Sequence, residues 1–109
     1  MDIKITVDAN FNLNNVDVDA IIQRELTKTA YKIEAQAKRN CPIDTGNLRR
    51  SITTDIGDME VDIGSNCEYA GYVHDGTYKM AARPFLEEAT NSEIEGLADR
   101  IAEAIGDLL

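Results

Sequence analysis

Hydrophobic and polar positions alternate at the start of the chain and then change period. Ile3, Ile5 and Val7 are separated by Lys4, Thr6 and Asp8, which predicts a short strand with one buried face. A polar stretch, Asn10 to Asn15, follows, with Phe11 and Leu13 as its apolar anchors. From Asp17 to Arg39, Val18, Ile22, Leu26, Ala30, Ile33 and Ala37 fall on one arc at about 100° per residue, which predicts one long amphipathic helix. Asp17 or Asp19 can cap its start. Arg24, Lys28 and Lys32 form a row on the opposite side, with Lys38 and Arg39 nearby. Ile21 and Tyr31 project into this basic side. Single exposed apolar residues are ordinary, but Tyr beside Arg is typical of an interface anchor.

Asn40 suits the helix end, and Pro42 prevents continuation. Cys41 to Leu48 then forms a corner: Pro42, Asp44, Thr45 and Gly46 carry turn chemistry, with Gly46 free to take a positive φ. Beyond it the period becomes two. Leu48 to Ile56 and Met59 to Ser65 read as a hairpin with a Gly57-Asp58 loop, pairing Ile56 with Met59, Thr54 with Val61 and Ile52 with Ile63. Cys67 to Val73 fits either a short helix or an irregular strand. His74 to Thr77 reads as a turn, and Tyr78 to Arg83 as a loop with Lys79, Met80 and Arg83 exposed. Pro84 suits the first turn of a helix. Ile94, Leu97, Ala98, Ile101, Ala102, Ile105 and Leu108 continue it as a clean stripe, but Phe85 and Ala89 fall on the other side of that wheel. The helix therefore kinks or restarts near Asn91–Ser92, where Ser92 and Glu95 form a capping box. The expected fold class is α+β. A small antiparallel sheet (the N-terminal strand plus hairpin 48–65) packs against a long helix (about 17–39) and a C-terminal helix (about 84–107).

Composition narrows the function more than the fold. A chain of 109 residues predicts a single domain, 1–109. Its aromatic content is 6%, so the core must be aliphatic. Its net charge of −9 argues against a nucleic-acid partner. No apolar run is long enough for a membrane span, and nothing marks export. The charge is unevenly placed: Arg24 to Arg50 holds seven bases and three acids, whereas Pro84 to Leu109 holds seven acids and one base. These two regions pack together within one subunit or meet across a subunit boundary; the sequence leaves both open. Cys41 and Cys67 lack metal or redox spacing and read as free thiols.

Candidate chemistry is thin. Asp44-Thr45-Gly46 is the nucleophile-side motif of aspartic proteases, which need two carboxylates sharing a proton. There the motif ends a buried strand, but here Pro42 sits two residues before the Asp and a helix precedes it. His74 is the sole histidine, and no orienting group is spaced to make it a catalytic base for Cys41 or Cys67. Asp55, Asp58 and Asp62 lack the glycine-centred loop of a calcium site. No phosphate-binding glycine loop is present. No catalytic, cofactor or metal residue is assigned.

Four ordered blocks add a family. Cys41-Pro-Ile-Asp-Thr-Gly-Asn-Leu-Arg-Arg-Ser-Ile52, Tyr69-Ala-Gly-Tyr-Val73, Gly76-Thr77, and Lys79-Met80-Ala-Ala-Arg-Pro-Phe-Leu86 with Ala89 together resemble the bacteriophage gene-product-ten family of tail-component proteins. His74 departs from the family's usual Glu, and Glu88 from its frequent Pro. The resemblance implies a non-enzymatic virion-assembly protein, one that completes the tail or joins it to the head connector. It implies a homo-oligomeric ring, other neck and tail proteins as partners, and a location in the host cytoplasm during assembly and then in the virion neck or tail. A ring needs two unlike patches on each subunit. The candidate interface residues are Tyr78, Lys79, Met80 and Arg83 in the loop, and Arg24, Lys28, Tyr31 and Lys32 on the first helix. The alternatives are a small prophage-encoded binding or regulatory module, and an aspartic-protease-like enzyme using Asp44.

Overall fold

The early alternation, the long helical stripe, the second alternating stretch and the C-terminal helices together build the core. The computed structural model describes residues 1–7, 16–41, 46–78 and 81–108. In chain order these form β1 (Asp2–Thr6), α1 (Val16–Asn40), α2 (Gly46–Ser51), β2 (Ile52–Gly57), β3 (Glu60–Ser65), α3 (Ala70–Asp75), α4 (Phe85–Ile94) and α5 (Leu97–Leu108). The strands make one antiparallel sheet in the order β1-β3-β2. The α+β architecture is as expected. Phe11, Leu13, Pro42, Asp44, Thr45, Lys79 and Met80 lie outside the described residues.

α1 is the spine. Its arc from Val18 through Ile22, Leu26, Ala30 and Ile33 to Ala37 is buried as the spacing requires. One flank of that arc meets the inner face of the sheet, where Gln23 accepts from the Met59 N–H at 2.8 Å and Glu34 from the Thr54 hydroxyl at 3.3 Å. The other flank meets α4 and α5 running back along it. Asn40 donates to the Phe85 carbonyl at 3.4 Å, and Arg100 to the Thr29 hydroxyl at 2.9 Å. Ile52, Val61, Ile63, Phe85, Leu86 and Ala89 close the core from the two sides. α1 begins at Val16, so Asp17 and Asp19 fall inside its first turns rather than before them.

Several local expectations change; His74 and Asp75, expected in a turn, end the helix α3 instead. Leu48 to Ser51 is not strand but the helical turn α2. Leu48 and Ile52 are four apart, so a helical turn takes both to the core as well as an alternating strand would. The hairpin pairs Gly57 with Glu60, Ile56 with Val61, Thr54 with Ile63 and Ile52 with Ser65, so its loop is Asp58-Met59. Moving the turn by one residue slides the facing partners by two, which keeps each on its expected face. Met59 adopts φ 57, held by its N–H on Gln23 and by its carbonyl, which accepts from the Val7 N–H at 3.0 Å. Those long-range contacts outweigh the local preference for Gly57 in the loop. The C-terminal break falls at Glu95–Gly96, and Ser92 lies within α4. The Arg100 guanidinium occupies the space beside Gly96 and donates to the Glu93 carbonyl at 3.4 Å, tying the break to Thr29 on α1.

Candidate functional site

α1 spends one arc on the sheet and the C-terminal helices, so the remaining arc faces away from both. That arc carries Arg24, Lys28, Tyr31 and Lys32, all exposed, as the helical spacing predicts. The Arg24 and Lys28 side chains are 58% and 59% exposed, each with its nitrogen 3.7 Å from Oε1 of Glu25. Glu25 is mostly buried and is also approached by Arg100 at 4.0 Å, so one carboxylate serves three cations. Tyr31 is 52% exposed between Lys28 and Lys32. Ile21 is half-buried rather than exposed.

The second expected group lies elsewhere. Tyr78 is 93% exposed and Arg83 is exposed. The Arg83 N–H donates to the Val73 carbonyl at 2.9 Å, anchoring the end of the loop to α3. Because α4 starts beside Asn40, Arg83 sits near the C-terminal end of α1, away from Arg24. Tyr72 and Tyr69 add further exposed rings around α3. The reading of Cys67 to Val73 as helix or strand left their faces unassigned. All four tyrosines are exposed while Phe85 is buried, so the chain places its polar-tipped aromatics where partners can reach them.

His74 is buried against Phe85, its ring edge-on at 5.3 Å. Its Nε2 accepts from the Glu87 N–H at 3.2 Å, so the proton sits on Nδ1, 2.9 Å from Asp75 Oδ1. The ring thereby satisfies an open N–H in the first turn of α4. Both nitrogens are engaged structurally, leaving neither to activate a thiol. Cys41 and Cys67 are free; burial raises the Cys41 thiol pKa despite the nearby Arg49, which keeps it from being a ready nucleophile. Among the described residues no group of His, Cys, Asp and Glu could hold a metal ion, and no helix is long and apolar enough to cross a membrane.

The outer face of the sheet gathers residues that alternation marks only as outward-facing. Asp2 and Lys4 on β1, Glu60, Asp62 and Gly64 on β3, and Thr53 and Asp55 on β2 share it. Asp55 and Asp62 are directly opposite, as are Lys4 and Asp62. Burial raises the Asp62 pKa most, then hydrogen bonding to and the charge of Asp2; Lys4 opposes this and Asp55 adds to it. Asp62 Oδ1 is buried without a hydrogen-bond partner among the described residues. The face forms a depression of about 660 Å³, lined by Asp2, Thr53, Asp55, Asp62 and Gly64, with Arg50 also lining it. Alternation puts these residues outward, but only the strand order β1-β3-β2 puts them together.

Residues 8–76 match the family model described as "Bacteriophage HK97-gp10, putative tail-component". The chain belongs to this phage tail-component family. The match covers α1, the corner, β2, β3 and α3, begins after β1, and stops before the Lys79–Ala89 block that also resembles the family. A tail component is a structural part of the virion that works among other phage structural proteins. No curated protein and no solved structure matches the chain. Among the described residues of this tail component, the basic side of α1, the tyrosines around α3 and the acidic outer face of the sheet are exposed.

Proposed function

We propose that this tail component completes the tail and joins it to the head connector, as one subunit of a homo-oligomeric ring at the virion neck. The observation that supports this reading is the exposure of Tyr78 at 93%, with Tyr72 at 64% close in sequence, on a segment pinned to the core through Arg83 and Val73. Exposed aromatics on a loop held by a rigid frame suit a contact made with another protein. His74 caps α4 from the same short helix that carries Tyr72, so the frame behind the loop is fixed. The test replaces Tyr78, Met80 and Arg83 together by alanine in the producing phage. Native-like circular dichroism with free heads and free tails by electron microscopy is the expected outcome. Joined, infectious particles at wild-type yield would remove the loop from head–tail joining.

A further inference from the structure

We infer that the outer face of the sheet is the receptor for the basic ridge of α1 from a second copy of this chain. This rests on the ring reading above and names the two surfaces that would make the ring. The ridge and the face lie on different sides of the subunit, because α1 packs on the inner side of the sheet with its basic arc turned away. A contact between two unlike surfaces is heterologous and closes a ring by rotation.

Charge complementarity selects this occupant. The ridge presents Arg24, Lys28 and Lys32 around Tyr31. The face sets Asp2, Asp55, Glu60 and Asp62 against Lys4 and Arg50. On an isolated subunit the face is self-repelling, since Asp55 and Asp62 stand directly opposite each other. An arriving ammonium or guanidinium relieves that repulsion. The carboxylates of α4 and α5 make a poorer receptor: Glu87, Glu88, Asp99 and Glu103 are exposed on convex helices, where each is separately solvated. Shape agrees. Three strands spaced at about 4.8 Å span about 10 Å, the width of a helix with its side chains. Gly64, paired with Thr53 and Asp2, keeps one end of the face low.

The experiment is reciprocal charge reversal in the full chain. One variant carries Arg24→Glu and Lys28→Glu; the other carries Asp55→Lys and Glu60→Lys. Association is followed by sedimentation velocity at low salt, with circular dichroism as the check on folding. Each variant alone should lose self-association by about tenfold or more, and an equimolar mixture should recover it, because each reversed surface then finds its complement. Wild-type association should weaken as salt shortens the Debye length below about 10 Å. If the second double variant loses its helical signal, Asp55→Lys alone, at an exposed position, repeats the test. Loss of association in the α1 variant with full retention in the sheet variant would overturn the inference, as would a mixture that stays dissociated, or a wild-type chain that does not associate. Complementation separates this from the proposed function. If heads and tails still join with either reversed variant as the sole copy, the interface is wrong and the joining role stands. If they join without the protein, the joining role itself fails.

Discussion

Replacing Gly64 by alanine tests whether β1 belongs to the frame on which the acidic face is built. Gly64 faces Asp2 across the β1–β3 ladder. A Cβ added there would lie 2.5 Å from Asp2 Cβ, 2.6 Å from the Met1 carbonyl oxygen and 2.9 Å from Asp2 Cα. Carbon atoms in ordinary contact stand about 3.5–4.0 Å apart, so the start of β1 must retreat by about 1 Å. The first pair to break is Met1 with Ser65, joined by N–H···O bonds of 3.1 and 2.8 Å. At about 0.5–1.5 kcal/mol net each, their loss costs about 1–3 kcal/mol. If the retreat reaches Ile5, which is 8% exposed, lost burial adds up to about 1.5–3 kcal/mol. Urea denaturation gives the total, and amide exchange at Ser65 locates it. A loss within about 0.5 kcal/mol, typical of a neutral surface change, together with unchanged Ser65 protection, would refute the close approach of β1.

Three further outcomes follow from the same structure. Asp62→Asn should stabilise the isolated subunit at neutral pH: the Asp62 pKa is raised in the fold, so wild-type stability falls as pH climbs from the ordinary carboxylate range through that raised value, and the variant should lack this fall. Superimposable urea midpoints from acid to neutral pH would contradict it. His74→Ala removes the acceptor for the Glu87 N–H and should cost about 1–2 kcal/mol, with faster exchange at Glu87; retained protection there would show that α4 needs no cap from α3. Arg100→Met cuts the ties to Thr29, Glu25 and the Glu93 carbonyl and should cost about 1–2 kcal/mol, with new proteolysis near Gly96; unchanged proteolysis would mean that the break is held by backbone alone.

Features that repeat with a short period can be read from the order of residues alone. Val18 through Ala37 recur at helical spacing, so the buried arc of α1 and its basic reverse side with Arg24, Lys28, Tyr31 and Lys32 were legible before any fold was known. Alternation in β1, β2 and β3 gave the correct inner and outer faces even though the hairpin partners were displaced by two, because a two-residue slide preserves a period of two. The ordered motifs from the corner onward gave the family. The tertiary structure decided what depends on residues distant in sequence. Gln23 and Val7 set the loop at Asp58-Met59, Arg100 marks the helix break at Gly96, and His74 meets Glu87 to cap α4. The acidic outer face belongs to this second group. Asp2, Asp55 and Asp62 come from three strands, and the energy of their mutual repulsion exists only once β3 lies between β1 and β2.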